Sequence, residues 1–212
     1  MKSILPWCYY IAMIDELEEA ISSRPKKALF QIRKRSVVGA DRTPAAVLLP
    51  LFEKDGEFHI LFTRRTDTVR DHKGQISFPG GAYEIQDITM QDTALREASE
   101  EIGLAPESVR ILGELDNLPT MTSNYLITPY VGLIPWPYEF KTDPKEVEEV
   151  IEIPVPVLQD KSSLRHETET LDGKLITSYF YNYKGVIIWG ATARILTQFL
   201  DIYSQVEKQN RS

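Results

Sequence analysis

Arg96-Glu97-Ala98-Ser99-Glu100-Glu101-Ile102-Gly103-Leu104 is the stretch on which the reading of this chain turns. On a helix, at about 100° per residue, Leu95, Ala98, Ser99 and Ile102 share one face, and Glu97, Glu100 and Glu101 share the opposite one. The carboxylates are spaced i, i+3, i+4, so they are neighbours and repel one another. A bound divalent cation removes that repulsion. Mg²⁺ suits the pattern because it takes a few carboxylates together with water and substrate phosphates. A solvated acidic face is the plain alternative for the triplet alone.

What precedes the triplet favours the cation. Phe78-Pro79-Gly80-Gly81 is a glycine-rich turn, where another group can approach the backbone closely. Thr89 and Asp92 fit a capping box, and Gly103 fits the glycine that ends a helix. The order is strand, glycine loop, short irregular segment, acidic helix.

Gly81 through Leu104 resembles the Nudix box, usually written G-x5-E-x7-R-E-U-x-E-E-x-G-U with U aliphatic. Ala98 is small for its U position. The gap from Gly81 to Arg96 is one residue longer than usual, and the first acidic position falls on Asp87. Either the loop bulges by one residue, or Asp87 has a different role. A second motif overlaps the first. Leu61-Phe62-Thr63-Arg64-Arg65-Thr66, Arg70, Gly74 and Phe78-Pro79-Gly80-Gly81 resemble the coenzyme A branch signature, L-L-T-x-R-[SA]-x3-R-x3-G-x3-F-P-G-G. Phe62 and Thr66 are mild departures. Trp189-Gly190-Ala191-Thr192-Ala193 resembles that branch's C-terminal stretch.

The resemblance implies an α+β chain folded as a Nudix α/β/α sandwich with a mixed central sheet, an N-terminal helical extension and a C-terminal helix. It implies Mg²⁺- or Mn²⁺-dependent hydrolysis of coenzyme A or acyl-CoA. The products would be 4′-phosphopantetheine, or its acyl form, and adenosine 3′,5′-bisphosphate. Glu97, Glu100 and Glu101 are the implied metal ligands, with a backbone carbonyl near Gly80. Glu100, Glu101 and Arg96 are the implied catalytic groups. Arg96 cannot ligate a cation, but its fork can pair with a carboxylate and fix the ligands in place. A general base is sought in the segment from Glu146 to Glu152, with Glu146 the first choice and Glu149 the second. Arg64, Arg65 and Arg70 are the expected substrate contacts, beside Lys73. Arginine grips phosphate well, although strand alternation puts Arg64 and Arg65 on opposite faces. Structural ion pairs are the alternative for each. Two other functions stay open: hydrolysis of another nucleoside diphosphate derivative (ADP-ribose, NADH or a dinucleoside polyphosphate), or nucleotide binding without cleavage. The intact carboxylates argue against the latter.

Composition bounds the rest. The chain has 212 residues, a formal net charge of −7 and one cysteine, Cys8. The charge speaks against general nucleic-acid affinity. A single cysteine allows no intrachain disulfide and suits a reducing, cytoplasmic setting. No run of 18 or more apolar residues predicts a membrane span. The apolar run from Ile4 to Ile14 is expected to pack, because no small-residue cleavage site follows it. Residues 1–36 are expected to form an extension packed on a Nudix domain at 37–212. Assembly is left open, with a homodimer as one expectation.

Patterning predicts the elements. Asp15 to Ser23 reads as a helix, followed by a basic, solvated segment from Arg24 to Arg35. Ala45–Phe52 and Phe58–Thr63 read as a hairpin around Asp55-Gly56. Gln75–Phe78, Val109–Leu115 and Ile127–Ile134 read as strands, the last interrupted by Pro129. Pro144–Val150 reads as a short helix. Ile176–Tyr183 and Val186–Trp189 form a second hairpin, and Ala191–Val206 a final helix. His59, His72 and His166 are too scattered for a metal site. Cys8 reads as a packed thiol. Trp136 and Tyr138 read as packing residues, with stacking on adenine as the alternative.

Overall fold

The computed structural model describes residues 7–24, 42–67, 74–120, 123–171 and 174–210. Arg70, His72, Lys73, most of the basic segment after Arg24 and the Cys8 side chain lie outside the described residues.

The first hairpin forms as the sequence predicts. β1 (Thr43–Lys54) and β2 (Glu57–Arg65) pair antiparallel around Asp55 and Gly56, whose φ values of 53° and 80° suit the two-residue turns of tight hairpins. β3 (Ile76–Ser77) pairs with the end of β2. The chain then enters β4 (Gly80–Ala82). Here the structure corrects the expected glycine turn, because Gly80–Ala82 is a short strand paired with Ala45–Val47 of β1. A Cβ on Gly80 would stand 2.4 Å from the Ala46 carbonyl oxygen, so the pairing requires glycine there.

On its other side β1 pairs in parallel with β7 (Tyr125–Leu133). β7 pairs in turn with β5 (Arg110–Glu114) and β6 (Leu118–Pro119). Pro129 does not interrupt β7. It falls between the stretches paired with β5 and β6, and its carbonyl accepts the Leu115 N–H.

The expected helix at Pro144–Val150 is not formed. Residues 144–146 make a turn, and β8 (Val147–Pro154) pairs with β2. Val147, Val150, Ile151 and Ile153 carry the β-branched preference that favours strand. A short helix, α3 (Val155–Gln159), follows β8. The second hairpin, β10 (Lys174–Tyr183) and β11 (Val186–Ile188), is also formed. It gains a strand absent from the sequence reading, β9 (Leu164–Leu171). In β9 Arg, His, Glu and Thr fill most positions, so no apolar alternation marks it.

Side chains alternate across the central sheet. Ala46, Leu48, Phe52 and Leu61 face α2 (Met90–Ile102) and pack with Ala94, Ala98 and Ile102. Leu49, Leu51, Ile60 and Phe62 join the core that includes α1 (Trp7–Ser22) and α4 (Gly190–Asn210). The sheet thus lies between helices. α1 starts earlier than its polar segment suggested, and Tyr10, Met13 and Leu17 are buried in that core.

Candidate active site

α2 starts and stops as its sequence dictates. The Thr89 hydroxyl accepts the Asp92 N–H and the Asp92 carboxylate accepts the Thr89 N–H, completing the capping box. Gly103 ends the helix at φ 68°, donating to Ser99, while Leu104 donates to Ala98. The helix therefore presents its carboxylates at fixed depths.

Those depths correct the expected face. Glu101 does not stand opposite the core. It is on the buried side with Ala94, Ala98 and Ile102, and its side chain is 3% exposed. Glu97 is next, at 15%, and Glu100 is outermost, at 60%. Leu95, expected on the core side, is only partly buried.

Arg96 ties the cluster together. Its Nε and Nη2 donate to the two oxygens of Asp87 at 3.0 and 3.1 Å. Nη2 also donates to the Ala82 carbonyl at 3.1 Å. Nη1 donates to Glu97 Oε1 at 3.0 Å and Glu100 Oε2 at 2.9 Å. Asp87 further accepts the Thr93 hydroxyl at 2.8 Å and the Glu84 N–H at 3.0 Å. The hydrogen bond from Arg96, helped by Glu84 and Thr93, holds Asp87 below its ordinary range despite burial. The same bond raises the Arg96 pKa. Asp87, the first acidic position of the motif, is thus the anchor of Arg96. The parts played by Thr93 and the Ala82 carbonyl were not legible, because no spacing rule links them to Arg96.

Glu101 has the opposite surroundings. Its nearest cation is Arg65, with Nη1 3.6 Å from Oε1. Its Oε2 is buried and without a hydrogen-bond partner among the described residues. Burial pushes its pKa up to about 8, opposed by Arg65 and the Gly80 backbone amide and reinforced by Glu97 and Glu146. Glu97 is also raised, by burial first, against the pull of Arg96. Glu146, in the turn before β8, has its charge close enough to act on both.

The remaining expected residues divide. Arg65 follows Leu61 and Thr63 onto the α2 face, while Arg64 turns away and pairs with Glu149 at 2.6 Å. That pairing takes Arg64 and Glu149, the second choice of base, out of the cluster. Glu146 is the one of the two base candidates that lies beside it. Trp136 stacks on Phe52 with Lys54 over its ring. The Tyr138 hydroxyl bridges Ala105 and Gly103. Both are packing residues. His59 stacks on Phe52, and His166 is on β9.

A divalent cation fits this cluster. The donors are carboxylate oxygens, which suit Mg²⁺ and Mn²⁺. The orphaned Glu101 Oε2 is a buried acceptor in need of a positive partner. A Cβ on Gly81 would lie 2.5 Å from Glu97 Oε1, so glycine leaves room for that carboxylate against the β4 backbone. As they stand, no three carboxylate, imidazole or thiol groups among the described residues gather around one point. Arg96 Nη1 accounts for part of this, because a cation must compete with it for Glu97 and Glu100.

Comparison with known proteins agrees with this geometry. The family profile of the NUDIX domain matches residues 41–201. A protein named uncharacterized Nudix hydrolase NudL from Photorhabdus laumondii is 40% identical over 154 residues, covering 73% of this chain and 81% of its own. One of the same name from Yersinia enterocolitica is 38% identical over 152 residues, covering 72% and 77%. A solved MutT/nudix family protein from Enterococcus faecalis superposes with a TM-score of 0.54 at 13% identity, over 77% of this chain and 62% of its own, a likeness of fold alone.

Proposed function

The chain belongs to the NUDIX domain family, and on that premise we propose that it hydrolyses the pyrophosphate bond of coenzyme A or acyl-CoA. It has the Nudix fold and is a Nudix hydrolase, of a family that generally uses divalent metals such as Mg²⁺ or Mn²⁺. The observation that carries the substrate reading is where its two motifs meet. The coenzyme A-type signature delivers Arg65 onto Glu101 of the acidic helix, 3.6 Å away.

In this reading Glu97, Glu100 and Glu101 would hold the cation, with the Gly80 backbone as a further donor. A bound cation would supply charge stabilisation at the phosphoryl oxygens. Arg96 keeps Glu97 and Glu100 oriented, and is itself held by Asp87. Glu146 is the candidate base, since its charge acts on both Glu97 and Glu101. One water attacks one phosphorus of the anhydride. A phosphorus–oxygen bond forms, the bridging bond breaks, and Glu146 receives the proton of the water. Arg65, and Arg70 in the same signature, serve the phosphates of the substrate.

The test is a hydrolysis panel with Mg²⁺ and Mn²⁺ over coenzyme A, dephospho-CoA, ADP-ribose, NADH and dinucleoside polyphosphates, with products identified by mass. In ¹⁸O-water the label should appear in a phosphate of one product. Release of free carboxylic acid from acyl-CoA with the anhydride intact sinks the reading. Preference for ADP-ribose or NADH moves it to another substrate of the same family.

A further inference from the structure

Every N–H of Arg96 is committed. Nε and Nη2 go to Asp87 and the Ala82 carbonyl, and Nη1 goes to Glu97 and Glu100. A further carboxylate stands just outside this set. Glu84 Oε1 is 4.0 Å from Nη1, about 1 Å beyond hydrogen-bond distance, and its side chain is 52% exposed.

The backbone of Glu84 is fixed. It lies in the loop between β4 and α2. Its N–H donates to Asp87 Oδ2 and its carbonyl accepts the Asp87 N–H, both at 3.0 Å. The Tyr83 hydroxyl closes the same loop on the Asp87 carbonyl at 2.9 Å. Glu84 and Arg96 are therefore tied to one residue, Asp87. The Gln86 amide donates to Glu84 Oε2, which leaves Oε1 on the side of the arginine. What remains loose is the exposed side chain itself.

A cation on Glu97 and Glu100 upsets the balance at Nη1. It draws on the carboxylates that Nη1 now holds, and it sets a positive charge beside a guanidinium that is only 17% exposed. A largely buried donor that loses its acceptor is costly, so Nη1 needs another. Glu84 is the carboxylate placed to answer.

We propose that Glu84 is a positioning residue that receives Arg96 Nη1 when a divalent cation takes Glu97 and Glu100. The arginine then keeps its place without competing for the ligands. This handover rests on the cation reading above and deepens it.

Mn²⁺ titration of the substrate-free protein, followed by the paramagnetic resonance of free Mn²⁺, tests it. Glu84→Gln should weaken Mn²⁺ about tenfold, as for loss of one charged hydrogen-bonding partner. The Tm of the metal-free variant should stay within about 2 °C of wild type, because Nη1 is satisfied there without Glu84. A structural role would do the reverse, lowering the metal-free Tm and leaving Mn²⁺ affinity alone. A carboxylate that acts on the cation through space, or ligates it, is separated by repeating the substitution in Arg96→Lys. The compact ammonium does not span Asp87 and Glu84 together. There Glu84→Gln should change the Mn²⁺ Kd by less than about twofold, and a tenfold change in both backgrounds overturns the handover. If Arg96→Lys does not fold, nitrogen NMR of the guanidinium in the Mg²⁺-loaded protein decides. The Arg96 Nη signals should be distinct in wild type and averaged in Glu84→Gln, and equal signals in the two overturn the handover. A wild type that binds no Mn²⁺ removes the cation site and the handover with it. Wild-type Mn²⁺ binding untouched by Glu84→Gln removes the handover alone.

Discussion

Asp87 and Glu101 are two carboxylates at either end of one helix, each 3% exposed at the side chain and each beside an arginine. Their chemistry is opposite. Asp87 receives donors from Arg96, Thr93 and the Glu84 backbone and is held below its ordinary range. Glu101 has Arg65 at 3.6 Å and one oxygen with no partner among the described residues, and is pushed up to about 8. Both side chains are equally closed to solvent, but Glu101 lies deeper: burial is the first cause of its rise, and the Arg96 hydrogen bond is the first cause of the fall of Asp87. A fully answered carboxylate stabilises a fold. A buried carboxylate left half-answered destabilises it until a cation arrives, and a protein keeps such a group for function.

The sharpest way to break the comparison is activity. Glu101→Gln is expected to lower kcat by on the order of 10²-fold or more, the scale of losing one charge-stabilising group. Glu100→Gln should do the same. Near-normal turnover in both variants removes the carboxylates from the cation site, and the contrast with Asp87 loses its functional meaning.

Asp87→Ala tests the other end. It strips Arg96 of its two-oxygen partner and leaves the Thr93 hydroxyl and Glu84 N–H unanswered. Breaking such a buried pair should cost about 3 kcal/mol, or roughly 10 °C in Tm for a chain of this size. Activity should fall as well, because Arg96 no longer holds Glu97 and Glu100. Calorimetric unfolding with an unchanged Tm would show that Asp87 is not an anchor.

The motifs made much of this legible. The helix ends, both tight hairpins and the carboxylate spacing follow from local rules that act over a few residues. The separation of Arg64 from Arg65 was expected from strand alternation, and it holds although the pairing of β2 with β8 shifts register between the two. Depth did not. Glu101 was read on the face opposite the core because helical spacing groups it with Glu97 and Glu100, and only the fold shows that helix packing sinks it between Ala98 and Ile102. The segment at 144–150 misled for a related reason. Pro144 and its glutamates look like a helix start, yet pairing with β2 overrides local preference. β9 carries no apolar stripe, so nothing in its pattern announces a strand.

The two carboxylates should also answer pH with opposite signs. Glu101 rises from an ordinary 4.5 to about 8 in the folded protein. Below about pH 4.5 it is protonated in both states and exacts no penalty. As pH climbs towards 8 the unfolded chain ionises it while the fold resists, so metal-free stability is progressively lost across that window. Asp87 contributes stability above its ordinary 3.8, and that contribution is lost as pH falls through its lowered folded value. Urea unfolding of the metal-free protein from pH 5 to pH 8 should therefore show a decline that Glu101→Gln reduces, the remainder belonging to the raised Glu97. At pH 8 the variant should gain roughly 4 kcal/mol, or about 10 °C. An identical slope in wild type and variant contradicts the assignment.

The smallest expected effect comes from Arg64, and it is the control for Arg65. The two are adjacent in one strand, yet Arg65 reaches the buried Glu101 and Arg64 reaches the half-exposed Glu149. Exposed ion pairs contribute about 0.2–1 kcal/mol, so Arg64→Ala should shift Tm by no more than about 3 °C and leave kcat/KM for coenzyme A unchanged. Arg65→Ala takes away the cation nearest Glu101 and a candidate phosphate contact together. Its kcat/KM should fall about tenfold to a hundredfold, the range for losing one charged hydrogen-bonding group. Raising the salt concentration distinguishes them further. Screening weakens the exposed Arg64–Glu149 pair but acts little on a pair beside a 3% exposed carboxylate. Equal kinetic losses in both variants would mean that the face each arginine occupies does not matter, and the strand alternation argument fails with it.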